Sequence, residues 1–431
     1  MALKATPRAN RVHIAVFGVR NSGKSSLINA LTGQNISIVS DVAGTTTDPV
    51  YKSMEIHGLG PCVLIDTAGF DDVGGIGELR IQQTRNVIDK TDIALLVLDP
   101  FSPEIQRLLP LTESDLREKD ILSDEEKNWL KQLKARKIPV IGVLNKMDLL
   151  PGEEAGKNDQ GADTGGRLAQ YIEKACNIPV IPVSAAAGQG IDLLREHLIR
   201  SLPEDFESDS ITGSLAGEGD LVLLVMPQDI QAPKGRLILP QVQVIRELLD
   251  KKCIVQCVTT DKLKEALAAL IHPPALIITD SQVFRTVYDK KPKESKLTSF
   301  SVLMAGYKGD LTYFVESAYA IEGLTENSRV LIAESCTHAP MEEDIGRVKI
   351  PAMLRKRAGQ GLKTEVVSGA DFPEDLSGYD LIIHCGACMF NRKHVLSRVE
   401  KARAAGVPMT NYGVTIAYLS GILDKISLNL N

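Results

Sequence analysis

The amino-acid sequence predicts an α/β fold, because short apolar runs alternate with segments of helical periodicity along the chain. In the first half the apolar runs are Val12–Phe17, Cys62–Ile65, Ile93–Leu98, Val140–Leu144 and Val180–Pro182. Strands this apolar are buried on both faces, so we expect a doubly wound, mostly parallel sheet with helices on either side. The same alternation recurs twice in the second half, which predicts two further α/β domains.

The elements of the second half are predicted by the same criteria. Predicted strands are Leu221–Val225, Ile254–Val258, Ala275–Thr279, Val330–Ala333, Glu365–Val367 and Leu381–His384. Helical apolar spacing covers Leu239–Leu249, Asp261–Ile271, Leu311–Ile321, Asp344–Arg357 and His394–Ala404. Residues 201–220 are acidic without Lys or Arg, residues 286–298 are rich in Lys, and we interpret both as linkers. Three domains follow, at residues 1–206, 212–298 and 299–431.

The composition is that of a soluble globular protein. Of 431 residues, 44% are hydrophobic and 24% charged, and the net charge is −6. No apolar run approaches the roughly 18–20 residues of a membrane span, and the first residues lack the apolar core of a signal peptide. We therefore expect a cytoplasmic protein that contacts no membrane, and the acidic balance argues against nucleic acid as a partner. Seven cysteines, an odd number, fit a metal site or unpaired thiols better than a disulfide framework.

A glycine-containing loop follows the first predicted strand. Its sequence, Gly18-Val-Arg-Asn-Ser-Gly-Lys-Ser25, matches the phosphate-binding loop pattern. In this pattern backbone N–H groups surround the phosphates, Lys24 contacts the terminal phosphates and the Ser25 hydroxyl binds Mg²⁺. The helix that begins here adds its positive N-terminal end. The predicted nucleotide-binding residues of the loop are Asn21, Ser22, Gly23, Lys24, Ser25 and Ser26, and Lys24 is also a candidate catalytic residue.

Two motifs farther along the chain complete a predicted magnesium and phosphate site. Asp66-Thr-Ala-Gly69 follows a strand, where an Asp can hold Mg²⁺ through water and the Gly69 N–H can contact the γ-phosphate. Thr46 lies between this motif and the phosphate loop, where a catalytic switch threonine that also binds Mg²⁺ is expected.

Two more motifs select the base. Asn145-Lys146-Met-Asp148 ends a strand, and its carboxylate can accept hydrogen bonds from guanine N1–H and N2–H₂, a pair of donors that adenine lacks. Ser184-Ala185 follows the next strand and can close over the base. Five motifs in this order, at strand ends, predict an enzyme that binds GTP, GDP and Mg²⁺ and hydrolyses GTP.

Residues 10–203 resemble the GTPases of the Era/TrmE type. Phe70 stands where Ras-type enzymes place a glutamine that orients water, and a phenyl ring cannot do so. The resemblance implies that a K⁺ ion held partly by Asn21 supplies positive charge, which makes Asn21 a candidate catalytic residue. The alternative is that Asn21 only satisfies the loop backbone. Glu78 is differently spaced from the water-activating Glu of one branch of these enzymes, so that role stays open.

Three cysteines near the C-terminus form a second constellation. Cys336-Thr-His338 and His384-Cys385-Gly-Ala-Cys388 each follow a predicted strand, where ligands bind in open α/β sheets. Such residues can hold a tetrahedral zinc ion or an iron–sulfur cluster, or they can be buried thiols that share no ligand. Buried apolar packing is the simpler interpretation of the four other cysteines, Cys62, Cys176, Cys253 and Cys257.

Downstream of the GTPase part, a C-x-H motif is followed after 45 residues by an H-C-x-x-C motif. With this combination the whole chain resembles the [FeFe]-hydrogenase maturation GTPases of the HydF family. The resemblance implies a central dimerisation domain, hence a homodimer, and a C-terminal iron–sulfur cluster-binding domain. It implies a [4Fe–4S] cluster on Cys336, Cys385 and Cys388, with His384 or His338 as an exchangeable ligand. It further implies a transferable diiron unit, radical-SAM maturases as its donors and [FeFe]-hydrogenase as its acceptor.

A rival hypothesis is a GTPase that acts on RNA or the ribosome and carries a structural zinc site at its C-terminus. It predicts a basic, aromatic-lined face, whereas aromatic residues are 4% of the chain and the balance is acidic. A cluster-dependent enzyme is disfavoured because the chain lacks a CxxxCxxC triplet.

Overall fold

The structure, a computed structural model, describes residues 11–32, 50–56, 59–67, 84–107, 121–150, 164–202, 210–227, 237–335, 345–369, 371–387 and 390–429. The chain divides into two compact units, Met1–Phe206 and Glu207–Asn431. Both contain mostly parallel sheets with helices, which confirms the predicted α/β class. Over the described ranges, no helix has the length and apolar character needed to cross a membrane.

The first unit is built on one six-stranded sheet in the order β2-β3-β1-β4-β5-β6. The strands are β1 Val12–Phe17, β2 Val50–Ile56, β3 Gly60–Asp66, β4 Ile93–Leu98, β5 Val140–Leu144 and β6 Val180–Pro182. The helices are α1 Lys24–Thr32, α2 Pro103–Gln106, α3 Asp124–Ala135, α4 Thr164–Cys176 and α5 Ile191–Arg200. Strand β2, which the sequence analysis missed, runs antiparallel to β3, and the other neighbouring pairs are parallel.

The central strands of this sheet are buried on both faces. Along β1, Ala15 and Phe17 join one apolar cluster while Val12, Ile14 and Val16 join another on the opposite face. This alternation is why β1 reads as a continuous apolar run, and it confirms a doubly wound arrangement. The parallel strands also bring their carboxyl ends to one edge, where the nucleotide motifs begin.

The second unit contains two four-stranded sheets. In the first, β7 Leu221–Val225, β8 Ile254–Val258, β9 Leu276–Thr279 and β10 Lys296–Ser299 pair in the parallel order β10-β9-β7-β8. Its helices are α6 Leu239–Asp250, α7 Leu263–Ala268 and α8 Phe284–Tyr288. Strand β10 begins inside the segment 286–298 and ends one residue beyond it, at Ser299. The interpretation of that segment as a linker was therefore wrong. The strand was missed because it has only four residues and the Lys and Pro residues before it indicated a loop. Within the strand only Lys296 is exposed.

The second sheet of this unit is also parallel. It comprises β11 Arg329–Glu334, β12 Lys363–Ser368, β13 Leu381–His384 and β14 Met409–Asn411 in the order β12-β11-β13-β14. Its helices are α10 Leu311–Ala318, α11 Ile350–Ala358, α12 Arg392–Ala404 and α13 Tyr412–Leu419, and a π-helical turn, Ile345–Lys349, precedes α11. The carboxyl ends of β11 and β13 are neighbours, which places Ser335 beside Cys385.

Helix α9, Phe300–Lys308, joins the two sheets. Phe300, Leu303 and Met304 pack in the core of the β7–β10 sheet, whereas Val302 and Ala305 belong to a cluster that also includes Leu331 and Ile382 of the other sheet. The predicted boundary between residues 298 and 299 therefore falls just before a helix shared by both sheets, and it stays a prediction.

Glu247 on α6 ties the start of the second unit to its core. Its carboxylate accepts hydrogen bonds from Thr212 N (2.8 Å), Thr212 Oγ1 (2.6 Å), Ser210 Oγ (2.8 Å) and Ile211 N (2.6 Å). Burial alone would raise the pKa of Glu247, but these hydrogen bonds outweigh burial and lower it. The segment after residue 210 is consequently fixed, although the sequence analysis had assigned residues 201–220 to a linker.

We expect this carboxylate to make the stability of the second unit depend on pH. Because the folded-state pKa is lowered, the contribution is fully present above the ordinary value of 4.5 and is lost as pH falls through the folded value. Glu247→Gln should cost about 1 kcal/mol or more at neutral pH and should flatten this acid dependence. Thermal unfolding followed between about pH 7 and pH 3 measures both effects. Glu265→Gln, at an exposed residue paired with Lys262, is the control. Parallel acid profiles for Glu247→Gln and the wild type would contradict the prediction.

Candidate functional site

The phosphate loop occupies the turn between β1 and α1. Lys24 is 5% exposed, and its ammonium group donates hydrogen bonds to the carbonyl oxygens of Gly18 at 2.6 Å and Val19 at 2.9 Å. Gly18 cannot be replaced without displacement of the backbone, since a Cβ there would lie 2.6 Å from the Val97 carbonyl oxygen. The lysine therefore spans the loop from a buried position, as a cation over a phosphate pocket should.

Ser25 and Asp66 meet at the start of α1. The Ser25 hydroxyl donates to Asp66 Oδ2 at 3.2 Å, and Asp66 is buried at the end of β3. A hydroxyl and a carboxylate oxygen so close together are the hard oxygen donors that Mg²⁺ prefers. These two residues fit Mg²⁺ in the roles predicted for them. Ser26 is exposed on the first turn of the helix.

Asn145 connects the phosphate loop to the base-binding motifs. Its amide Nδ2 donates to the Ser22 carbonyl oxygen at 3.0 Å, and its Oδ1 accepts from Ala185 N at 3.1 Å. Gly23 has a φ of +91°, and a Cβ there would lie 2.2 Å from Asn145 Nδ2. The glycine thus permits Asn145 to lie directly on the loop. Three predicted motifs are joined through this one side chain.

The base-binding carboxylate is held by the neighbouring motif. Ser184 Oγ donates to Asp148 Oδ1 at 2.5 Å and accepts from Ala187 N at 3.0 Å. Asp148 is exposed, so its carboxylate is accessible to a base. Lys146 donates to Asp99 Oδ2 at 2.6 Å. The sequence analysis missed Asp99, although its position directly after β4 at the same sheet edge was a signal for it.

Several predicted site residues lie outside the described ranges, whereas Asn21 lies within them. Thr46, Gly69, Phe70 and Glu78 are outside the described residues, as are Cys336, His338 and Cys388. Asn21 is described, exposed, and has a left-handed backbone with φ +63°. Its side chain is therefore available at the mouth of the phosphate loop.

Cys385 begins a loop at the carboxyl end of β13. Its Sγ receives hydrogen bonds from Ser335 N at 3.1 Å and Ala387 N at 3.4 Å, and lies 3.3 Å from Ser335 Oγ. Backbone N–H groups directed at sulfur stabilise the thiolate, which is the form that binds metals. Ser335 and Ala387 are the chain neighbours of Cys336 and Cys388, which themselves lie outside the described residues. No group of three His, Cys, Asp or Glu side chains suited to a metal occurs within the described residues alone.

His384 supports this loop from a buried position. Arg398 Nη1 lies 3.0 Å from Nε2, and a guanidinium can only donate, so Nδ1 carries the proton that is donated to the Cys385 carbonyl oxygen at 2.8 Å. Burial, and to a smaller extent the charge of Arg398, lower the pKa of His384 to about 3, although the hydrogen bond to the Cys385 carbonyl oxygen acts in the opposite direction. Both ring nitrogens are thus engaged by protein groups, and the imidazole is neutral.

The fold and the nucleotide site define a GTPase of the P-loop class, and residues 13–146 match the family of 50S ribosome-binding GTPases. Residues 211–309 match the hydrogen maturase F dimerization domain, and residues 312–428 match the hydrogen maturase F tetramerization domain. The chain belongs to the hydrogen maturase F (HydF) family of hydrogenase maturation GTPases. The resemblance predicted from the motifs is confirmed, and the dimerization and tetramerization domains indicate that the chain oligomerises.

Two curated relatives with other names match less than half of this chain. GTPase Der of Wolinella succinogenes is 38% identical over 199 residues, which are 44% of this chain and 36% of that protein. The tRNA modification GTPase MnmE of Actinobacillus succinogenes is 36% identical over 190 residues, which are 44% of this chain and 35% of that protein. The chain therefore spans about a third of the length of these relatives. Among solved structures, the G domain of the T. maritima FeoB iron transporter is 23% identical, and the match covers 44% of this chain and 98% of that one, with a TM-score of 0.29.

Proposed function

We propose that this chain is a GTP-hydrolysing scaffold that binds a [4Fe–4S] cluster on Cys336, Cys385 and Cys388 and delivers a diiron precursor to [FeFe]-hydrogenase. The observation that carries the proposal is the pair of backbone N–H groups, from Ser335 and Ala387, directed at Cys385 Sγ. Hydrogen bonds of this kind to cysteine sulfur are a feature of iron–sulfur sites. When bound, the cluster supplies an iron-bearing attachment point, and the three cysteines hold it.

The remaining proposed roles rest on the contacts of the loop for the two histidines and on the family resemblance for the partners. His384 uses both ring nitrogens within the protein, so we assign it to support of the loop, and His338 stays a candidate for the exchangeable ligand. Radical-SAM maturases would supply the diiron unit and the hydrogenase would accept it, in the cytoplasm. GTP acts as a switch, because holding and transferring a cluster requires no phosphoryl transfer.

The decisive test is to reconstitute the wild-type protein anaerobically and mix it with hydrogenase that lacks its diiron site. We expect iron and sulfide near four per chain, a brown protein and gain of hydrogenase activity after loading by the radical-SAM maturases. A colourless protein that binds zinc instead would contradict the proposal and favour the rival hypothesis of a structural zinc site. If the protein is brown but never activates the hydrogenase, the proposed cluster binding stands and the proposed delivery of the diiron precursor is refuted.

We further propose that K⁺ stimulates hydrolysis through Asn21. The residue is exposed at the phosphate loop, and Phe70 cannot position water. Hydrolysis should be faster in K⁺ than in Na⁺ at matched ionic strength, and Asn21→Gly should abolish the difference. Glycine is the suitable replacement because the φ of +63° would strain alanine. Equal wild-type rates in the two salts would leave Asn21 as a loop residue only.

The homodimer is proposed to form through the edge strand β8. Within the described residues β8 pairs with β7 alone, and its Ile254 is 61% exposed. An apolar edge strand is a template for pairing, and the dimerization-domain match makes a second copy of this chain its occupant. Ile254→Lys should lower the sedimentation coefficient, because a lysine on an edge disfavours pairing. Ile271→Lys, at a residue 92% exposed and off the strand, is the control. If Ile254→Lys sediments like the wild type, β8 is not the interface.

A further inference from the structure

A buried lysine lies directly behind the loop that begins at Cys385. Lys308 is the last residue of α9 and is 2% exposed. Its ammonium group donates hydrogen bonds to the carbonyl oxygens of Ala387 at 3.0 Å and Phe390 at 2.8 Å. Because an ammonium group is costly to bury, its position calls for a reason beyond packing. The sequence analysis assigned this lysine to no predicted strand or helix and missed it.

These two hydrogen bonds act on both ends of the segment that contains Cys388. Ala387 precedes Cys388 and Phe390 follows Met389 in the chain. Ala387 also donates its N–H to Cys385 Sγ at 3.4 Å and accepts from Phe390 N at 3.1 Å. Displacement of the lysine would therefore release Ala387, and with it a hydrogen-bond donor to the cysteine sulfur.

The position of Lys308 is itself fixed from two sides. Ser299, the last residue of β10, caps α9 by accepting from Val302 N at 3.2 Å. At the other end of α9, Arg392 Nη1 donates to the Tyr307 carbonyl oxygen at 2.8 Å. The ammonium group is thus held by a helix that starts on the β7–β10 sheet and by the first residue of α12.

A fixed positive charge also has an electronic effect on a sulfur-rich group nearby. Net charge and hydrogen bonds to sulfur are among the factors that set the reduction potential of an iron–sulfur cluster. A cation stabilises the more negative, reduced form more than the oxidised form, and this effect is strong where water is excluded.

We propose that Lys308 is a positioning residue that shapes the Cys385 loop and raises the reduction potential of the cluster bound there. The inference rests on the proposed function, because it requires that these cysteines hold the cluster. It goes further by assigning a role to a residue that belongs to neither the predicted nucleotide-binding residues nor the predicted cluster ligands.

Three variants separate the hydrogen bonds from the charge. Lys308→Met removes both, Lys308→Gln keeps a donor without the charge, and Lys308→Arg keeps both. The matched control is Lys291→Met, because Lys291 also donates to backbone carbonyls, those of Pro292 at 3.0 Å and Ser295 at 2.7 Å, in the same unit but away from the cysteines. Each full-length variant is reconstituted anaerobically. The readouts are amide hydrogen exchange of residues 385–390 without the cluster, iron release to a chelator, and the potential from an EPR titration.

We expect Lys308→Met to increase amide exchange in this segment and to release iron about tenfold faster than the wild type, a change equivalent to the loss of one hydrogen bond to a charged group. Lys308→Gln should shift the balance of reduced and oxidised cluster about tenfold toward the oxidised form, which is about 59 mV for a one-electron couple. Lys308→Arg should restore the wild-type potential, and GTP hydrolysis should be unchanged in all variants.

Two results would overturn the inference, and they are distinct from failure of the proposed function. If Lys308→Met releases iron and exchanges amides no faster than Lys291→Met, the lysine does not position the loop. If Lys308→Gln keeps the wild-type reduction potential, the charge of the lysine does not affect the cluster. This test does not depend on Lys308→Met, so it remains decisive if Lys308→Met fails to fold. A wild-type protein that takes up no cluster would instead refute the proposed function, and the inference with it.

Discussion

Lys24→Ala should lower the rate of GTP hydrolysis at least about 100-fold, the range seen when one group that stabilises transition-state charge is removed. The ammonium group is buried over the loop and held by the Gly18 and Val19 carbonyls, so it is already in place before nucleotide binds. Alanine keeps the helix but leaves the developing charge on the phosphates without its cation. Single-turnover hydrolysis at saturating GTP, together with the GTP dissociation constant, separates lost catalysis from lost binding.

The control for this variant is a lysine of the same unit that serves only the fold. Lys134 donates to the Cys176 carbonyl oxygen at 2.6 Å, away from the nucleotide motifs. Lys134→Ala should change thermal stability and leave the hydrolysis rate within about twofold of the wild type, because surface substitutions remote from a site act mainly on folding. Hydrolysis by Lys24→Ala at the rate of Lys134→Ala would refute the role of Lys24.

Cys385→Ala should remove most of the cluster iron and all capacity to activate hydrogenase. Loss of one thiolate from a three-cysteine site leaves too few strong donors to hold four irons. The two N–H groups that now point at Sγ would also lose their acceptor. GTP hydrolysis should survive, because the nucleotide site lies in the other compact unit. Iron content, hydrolysis rate and hydrogenase activation are measured on one preparation.

Cys257→Ala is the matched control for the cysteine variant. Cys257 lies on β8 in the same unit and is exposed, so its removal tests for a general effect of losing a thiol. The control should keep iron and activation at the wild-type level. Full activation by Cys385→Ala would refute the scaffold, whatever its hydrolysis rate.

The nucleotide site could be predicted from the sequence because its chemistry lies at strand ends. Asp66 and Asn145 each stand at the end of an apolar run, and parallel strands gather such ends at one edge. The contacts between motifs could not be predicted. That Asn145 rests on Gly23 while binding Ala185 depends on how two loops pack, and no spacing along the chain specifies it.

The cysteine loop shows where sequence patterns stop being informative. The cysteines identified the loop, and the resemblance implied His384 or His338 as an exchangeable ligand. In the structure Arg398, fourteen residues later in the chain, engages the ring of His384, and only tertiary packing brings them together. Lys308 could not be singled out either. A lysine is usually exposed to solvent, and only tertiary packing buries this one.

Helix α9 begins at the end of the β7–β10 sheet, and its length determines where Lys308 meets the loop that begins at Cys385. Each residue of an α-helix turns the chain by 100° and advances it by 1.5 Å. An insertion or deletion of a single residue between Ser299 and Lys308 would therefore swing the ammonium group about a quarter turn around the helix axis, away from the Ala387 and Phe390 carbonyls. If Lys308 positions the cysteine loop as proposed, the length of this helix matters to the loop as much as the side chain of Lys308 itself.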